Sequence, residues 1–363
     1  MKIIFSDNSI GGLLNFRGGL IERFISIGYD VVLVAPGDKM YNMDQIPKNV
    51  KYIPIQMDRT GVSLYGDLLY SIQLWKIYSS ERPDYVFHYT IKPNIYGSII
   101  CRILRIRSWS IITGLGYVFF NNGISNKLAR WMYRIALKYP DKVFALNEDN
   151  AKTLVSKGFV CNNKIVLLQG GEGVNLFKFQ QTECPHNKRV RFLMISRLLY
   201  EKGYNEYVTV AKQLYNQADF YIMGAMDPNP TGVPLSVIQQ DIETGDIHYI
   251  QFSQDVMSYI NQADCIVLPS YHEGLSRVLM EALAIGRPII CSDIPGCRET
   301  VIEGKNGFLC KAKSVMSLRY SCEKFLSLSY EERMLMGRES RKLAEQVFDE
   351  QIVINKFCQL LYK

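Results

Sequence analysis

Short apolar runs recur along the chain, separated by polar turns and by stretches of helical period. Lys2–Phe5, Asp30–Ala35, Asp84–His88, Ser110–Thr113, Asp141–Leu146 and Lys164–Leu168 are such runs in the first half. Arg189–Ile195, Phe220–Met223, His248–Phe252, Cys265–Pro269 and Pro288–Cys291 follow in the second. Runs this short, bounded by turn residues, predict strands buried on both faces, as in parallel sheets. Helical patterns fall between them: from about Leu13 to Ile27 with Gly28 at the end, from Asn147 to about Lys157, and over Arg277–Ile285, stopped by Gly286 and Pro288. From about Ser314 the pattern is helical to the end. This alternation predicts an α/β chain of two Rossmann-like domains, residues 1–168 and 174–347, joined through the glycine-rich Gln169–Gly173.

Open α/β sheets bind ligands at the carboxyl ends of their strands, so the loops there carry the candidate chemistry. In Ser270–Thr300, Ser276 is the expected N-cap of a helix, and the amides of Gly274, Leu275 and Ser276 would form an anion site aided by the helix dipole. Glu273 and Glu281 bracket that helix start. Carboxylates make charge-assisted hydrogen bonds to sugar and ribose hydroxyls; the alternative is a dipole-complementing acid and a solvated helix acid. Arg197 and Lys202, on the loop after Arg189–Ile195, suit a diphosphate, or are two surface cations. In the first half, Gly11 and Gly12 lie in the first strand-to-helix turn, while His88, Thr90 and Lys92, at the end of the third strand, are candidates to contact an acceptor or wall a sugar. A lone histidine at a strand end is more often structural than functional.

Composition narrows the classes. The 363 residues are 48% hydrophobic, with formal net charge +7 and pI near 8.8. This mild basicity favours anionic partners: nucleotides or acidic lipid surfaces, and nucleic acid least, since no basic–aromatic repeat or recognised module occurs. Nine scattered cysteines without C-x-x-C suggest structural thiols in a reducing compartment. Met1-Lys2 runs straight into a strand pattern, so no signal peptide is expected, and no apolar run of about eighteen residues occurs to span a membrane. No D-x-D carboxylate pair is present, so no metal-chelated diphosphate is expected.

Ile124–Tyr139 stands apart. Lys127, Arg130, Arg134 and Lys138 recur at i, i+3, i+7 and i+11, lining one helix face, with Trp131 beside them. A basic amphipathic helix with a tryptophan is a membrane-surface signature, and equally a domain helix with a solvated basic face.

E-G-L-S-x-x-x-x-E from Glu273, A-x-G-x-P from Ala284 and D-x-P-G-x-x-E from Asp293 together resemble the nucleotide-sugar site of glycosyltransferase family 4, retaining enzymes with the GT-B fold. S-R-L-x-x-x-K-G around Arg197 and T-G-L-G-Y-x-F from Thr113 resemble the same family, the latter its bacterial polysaccharide enzymes. The resemblance implies two Rossmann-like domains facing across a cleft, the first binding acceptor and the second a nucleotide-sugar. A last helix, about residues 348–363, would return to the first domain. It implies that Glu273 and Glu281 hold the sugar and ribose, that Arg197 and Lys202 hold the diphosphate, and that the base rests at Phe252. Gly11 and Gly12 would lie across the cleft from the diphosphate, and Thr113 and Gly114 would wall the transferred sugar. The implied activity is metal-independent transfer of a hexose or N-acetylhexosamine from a UDP-sugar to a lipid-linked or growing polysaccharide acceptor. It would take place at the cytoplasmic face of the membrane, in cell-surface glycan biosynthesis. The rivals are a GT-B nucleotide-sugar epimerase and a catalytically silent UDP-sugar-binding protein.

Overall fold

In a computed structural model of the chain, residues 1–38, 43–58, 63–115, 123–227, 229 and 231–362 are described. Gly116–Phe119 of the T-G-L-G-Y-x-F run lie outside them. The chain divides into two compact units, Met1–Glu172 with Glu350–Lys363, and Gly173–Asp349.

The first unit runs β1 (Lys2–Ser6), α1 (Ile10–Ser26), β2 (Asp30–Ala35), β3 (Lys51–Pro54), α2 (Leu64–Glu81), β4 (Tyr85–Tyr89), α3 (Ser98–Leu104), β5 (Arg107–Ile112), α4 (Ile124–Ala136), β6 (Lys142–Ala145), α5 (Glu148–Ser156) and β7 (Ile165–Leu167). Its sheet has the order β3-β2-β1-β4-β5-β6-β7, and every pairing is parallel. Phe5 pairs with Leu33 on one side and Phe87 on the other. The strand order reverses between β1 and β4, which opens a crevice at their carboxyl ends.

Both faces of this sheet are covered, which is why its strands read as continuous apolar runs. On one face Ile4, Val32 and Val86 pack against Tyr70, Leu74 and Tyr78 of α2 and Ile100 of α3. Ile112, Val143 and Ala145 continue that face under Tyr133 and Ala136 of α4. The other face is aromatic. Phe87 stacks on Trp109 at 4.8 Å, and Phe144 stacks at 4.8 Å on Phe357 of the C-terminal helix.

Two differences from the sequence expectation matter for the site. Helix α1 begins at Ile10 rather than Leu13, because Ser9 caps it by accepting the Gly12 N–H at 3.4 Å. Gly11 and Gly12 are therefore the first turn of the helix and not a loop. Helix α2 has no counterpart in the apolar pattern, because it is apolar on both sides and so lacks a one-sided period.

The second unit runs β8 (Val190–Ile195), α6 (Tyr204–Leu214), β9 (Ala218–Gly224), α7 (Leu235–Glu243), β10 (His248–Gln251), α8 (Val256–Gln262), β11 (Cys265–Leu268), α9 (Arg277–Ile285), β12 (Ile289–Ser292), β13 (Gly307–Cys310), α10 (Val315–Leu326) and α11 (Tyr330–Leu343). The sheet order is β10-β9-β8-β11-β12-β13, again all parallel. Here the order reverses between β8 and β11. The last helix, α12 (Glu350–Leu361), belongs to the first unit. All nine cysteines are free thiols, and Cys161 alone is exposed. No helix among the described residues is long and apolar enough to cross a membrane.

Candidate active site

The two loops leaving β8 and β11 meet at the switch point of the second sheet. The first carries Arg197 and a single 3-10 turn, Tyr200–Lys202, before Gly203 starts α6. Gly203 has φ +83°, and a Cβ there would run into the carbonyl oxygen of Pro269 at the start of the second loop. Only glycine lets the loops approach this closely. The Tyr271 N–H then donates to the Glu201 carbonyl at 2.8 Å, tying one loop to the other. The Ser270 hydroxyl donates to the carbonyls of Glu201 and His272.

This stitching sets Lys202 Nζ 2.6 Å from Glu273 Oε1, with both side chains largely shielded, 16% and 14% exposed. Arg197, 60% exposed, reaches Asp227 Oδ2 at 2.7 Å. Each cation the sequence singles out thus has one carboxylate partner and further donors for an anion. Asp227 was not among the sequence candidates. It follows β9 thirty positions along the chain from Arg197, and no local motif links the two.

Behind the loop, the Tyr271 hydroxyl sits between both carboxylate oxygens of buried Glu206, at 2.7 and 2.9 Å, and Lys313 Nζ lies 4.8 Å from the Tyr271 ring centre. Burial, then the Glu206 carboxylate, raises the Tyr271 phenol well above its ordinary range. His272, beside Glu273, is held below the ordinary imidazole value by burial. Gly296, at φ +86°, passes under the loop; a Cβ there would stand 2.7 Å from the carbonyl oxygens of Glu273 and Gly274.

Ser276 corrects the expectation of three amides open to an anion. Its N–H donates to the Gly296 carbonyl at 2.8 Å, its side chain makes no cap bond, and the residue is buried. Gly274 and Leu275 keep their place at the start of α9 and are half-buried. Glu281, one turn into α9, is held by Arg277 Nε at 2.9 Å, and Arg277 also bonds the Gly173 carbonyl. Burial pushes the Glu281 carboxyl up, and Arg277 opposes that shift. Phe252 follows β10 and is 41% exposed.

In the first unit the candidates divide. Thr90 sits at the end of β4 in a left-handed conformation, φ +65°, its hydroxyl bonded to its neighbour's carbonyl. Thr113 and Gly114 follow β5 and are half-buried. Lys92 is not open to an acceptor, because its ammonium is paired with Asp67 at 2.6 Å. His88 is not a wall residue at all. It is fully buried, with Nε2 3.2 Å from the Tyr78 hydroxyl and the ring pressed against Gly97. Burial lowers its pKa to about 3, so it is a neutral core residue. Sequence alternation puts position 88 on the helix-covered face of the strand. The crevice of this unit instead holds Arg17, buried and paired with Asp7 at 3.2 Å and Glu172 at 2.7 Å, over the Tyr89 ring. Asp7, Arg17 and Glu172 lie far apart in the chain and form no local motif.

The basic stripe is only partly helical. Helix α4 ends at Ala136, so Lys138 lies beyond it. Arg134 donates to the Lys157 carbonyl and lies over Phe159. Lys127 and Arg134 are exposed, Arg130 is half-buried, and Trp131 is 60% exposed.

Two doubly wound parallel-sheet units, each with a switch point in its strand order, are the architecture of the GT-B class of α/β enzymes. Comparison with known families gives the same answer. Residues 177–343 match the model for glycosyl transferases group 1, and residues 14–147 match that for glycosyl transferase 4-like domains. The chain belongs to this glycosyltransferase family. Among curated proteins it is 26% identical to the N,N'-diacetylbacillosaminyl-diphospho-undecaprenol alpha-1,3-N-acetylgalactosaminyltransferase of Campylobacter jejuni, over 99% of this chain and 98% of that one. It is 22% identical to the capsular polysaccharide biosynthesis glycosyltransferase CapM of Staphylococcus aureus, over 96% and 94%. Among solved structures it resembles sucrose-phosphate synthase of Thermosynechococcus elongatus at TM-score 0.85, with 16% identity over 100% and 98% of the two chains. Anabaena HepE, solved with UDP-glucose, matches at TM-score 0.81, with 16% identity over 100% and 99%. These structural likenesses establish the fold.

Proposed function

We propose that this glycosyltransferase moves a hexose or N-acetylhexosamine from a UDP-sugar to a lipid-linked or growing polysaccharide acceptor, retaining anomeric configuration and needing no metal. The observation that carries the proposal is the Lys202–Glu273 pair between the two switch-point loops, with Arg197 on the first of those loops held by Asp227. Arg197 and Lys202 stabilise the diphosphate as the bond from sugar C1 to the phosphate oxygen breaks and negative charge builds on the leaving group. Glu273 and Glu281 hold hydroxyls of the sugar and ribose. The acceptor oxygen bonds to C1 on the face the nucleotide leaves, and its proton passes to the departing phosphate, so no protein base is required. The names of the Campylobacter and Staphylococcus relatives support an undecaprenol-linked or capsular acceptor, and hence action at the inner membrane face, with the basic side of α4 towards lipid.

The test is UDP release from a panel of UDP-sugars, with and without a membrane lipid extract. Release that needs one sugar and the extract supports the transferase. Interconversion of a UDP-sugar without acceptor favours the epimerase, and UDP binding without turnover favours the silent binder.

A further inference from the structure

Helix α2 has two apolar sides, and among the described residues only one of them is covered. Tyr70, Leu74 and Tyr78 are buried on the sheet. The opposite side carries Tyr65, Leu68, Leu69, Ile72 and Trp75, which are 41–72% exposed. Their spacing, i, i+3, i+4, i+7 and i+10, makes one continuous stripe about 15 Å long. A contiguous apolar stripe of this kind on a soluble unit marks a surface that meets something apolar. Tyr65 and Trp75 stand at its two ends, the aromatic types that prefer a boundary between apolar and wet surroundings.

Charge identifies the partner. Asp67 of α2 points inward, bonded to Lys92 and Tyr96, and Glu81 at its end is paired with Lys2 and Lys51. The outward side of α2 bears Lys76 and no exposed carboxylate among the described residues. Helices α3 and α4 lie on the same sheet face, and neither contains an acidic residue. They add exposed Arg102, Lys127 and Arg134, with exposed Arg105 just past α3. Arg102 lies 6.0 Å from the ring centre of Tyr139, just past α4, which joins the two basic edges. An apolar stripe beside charges of a single sign is complementary to an anionic lipid bilayer.

We propose that α2 seats its outer stripe in the headgroup–acyl boundary of an anionic bilayer, while the cations of α3 and α4 bind lipid phosphates. This rests on the membrane-borne acceptor proposed above and deepens it, because the inserted element is α2 and the basic stripe of α4 is its electrostatic flank.

The experiment uses the full chain with vesicles of phosphatidylcholine alone or mixed with phosphatidylglycerol. The wild type is expected to sediment with the mixed vesicles and much less with the neutral ones. The triple variant Leu68→Ser, Ile72→Ser, Trp75→Ser should bind mixed vesicles at least about tenfold more weakly. Lys127→Ala with Arg134→Ala should bind less at low salt only. Fluorescence of Trp131→Phe with brominated lipid keeps the test open should the triple variant misfold: Trp75 is expected to be quenched, while buried Trp109 is not. Wild-type sedimentation by the triple variant, or absent quenching, overturns the assignment. So does a wild-type dimer that the triple variant dissociates, since a second copy would then cover the stripe. UDP binding without vesicles is measured in parallel; its absence would sink the donor site and leave the docking result standing.

Discussion

Lys202 Nζ and Glu273 Oε1 lie 2.6 Å apart, although they come from different βα loops of the second sheet. Each end of the pair is shielded from water, so neither charge is well solvated without the other. Lys202→Ala should lower kcat by about 10²- to 10³-fold, the usual cost of removing one group that stabilises leaving-group charge. Glu273→Gln should also lower turnover. The double variant should lose less than the two single losses combined, because the pair acts as a unit. Steady-state kinetics on the three proteins would show it; fully additive losses would mean that the two groups act independently.

Asp227 steers Arg197 without being buried with it, since Arg197 is 60% exposed. An exposed pair of this kind contributes less than about 1 kcal/mol to stability. Asp227→Asn should therefore leave the melting temperature within a few degrees of the wild type while raising KM for the donor several-fold. A large drop in melting temperature, with KM unchanged, would contradict this.

The strands of both sheets are legible in the apolar runs because parallel strands are buried on both faces. Arg277–Ile285 is legible to the residue because Gly286, in the left-handed conformation, ends it. Strands β3 and β13 are not legible, since Lys51–Pro54 is a short, half-buried edge and Gly307–Cys310 is a four-residue edge strand that opens on glycine. The partners of the site cations are not legible either. Arg197–Asp227 and Tyr271–Glu206 are pairs made by the sheet order, which brings distant strand ends together. His88 misleads because it sits at a strand end yet on the covered face, a distinction that one residue of register decides.

Tyr271→Phe should remove the hydroxyl that lies between both oxygens of buried Glu206. Leaving that carboxylate short of a donor costs about 1–3 kcal/mol. The loop that carries Glu273 should loosen with it. Urea denaturation should show the loss of stability, and kcat should fall because Glu273 is less well held; equal stability and kcat would contradict both.

His88 makes stability pH-dependent in a known direction. Its folded pKa is about 3, while the unfolded chain takes up a proton near its ordinary value of about 6.5. The neutral ring's contribution is therefore present above pH of about 6.5 and is lost as pH falls towards 3, by at most about 1.4 kcal/mol per unit. His88→Gln should be less stable than the wild type at pH 7. The gap should narrow at pH 5, since the variant lacks this slope. A gap that stays constant between those pH values would show that the ring titrates normally.

In the proposed reaction Arg197 and Lys202 carry the diphosphate of a UDP-sugar at the switch point of the second sheet. The most direct measurement is donor- and acceptor-dependent UDP release by the wild type and by Arg197→Ala, with circular dichroism confirming that both are folded. Release by the wild type is expected, with a loss of about 10²-fold or more in the variant. Near-normal release by folded Arg197→Ala would contradict it.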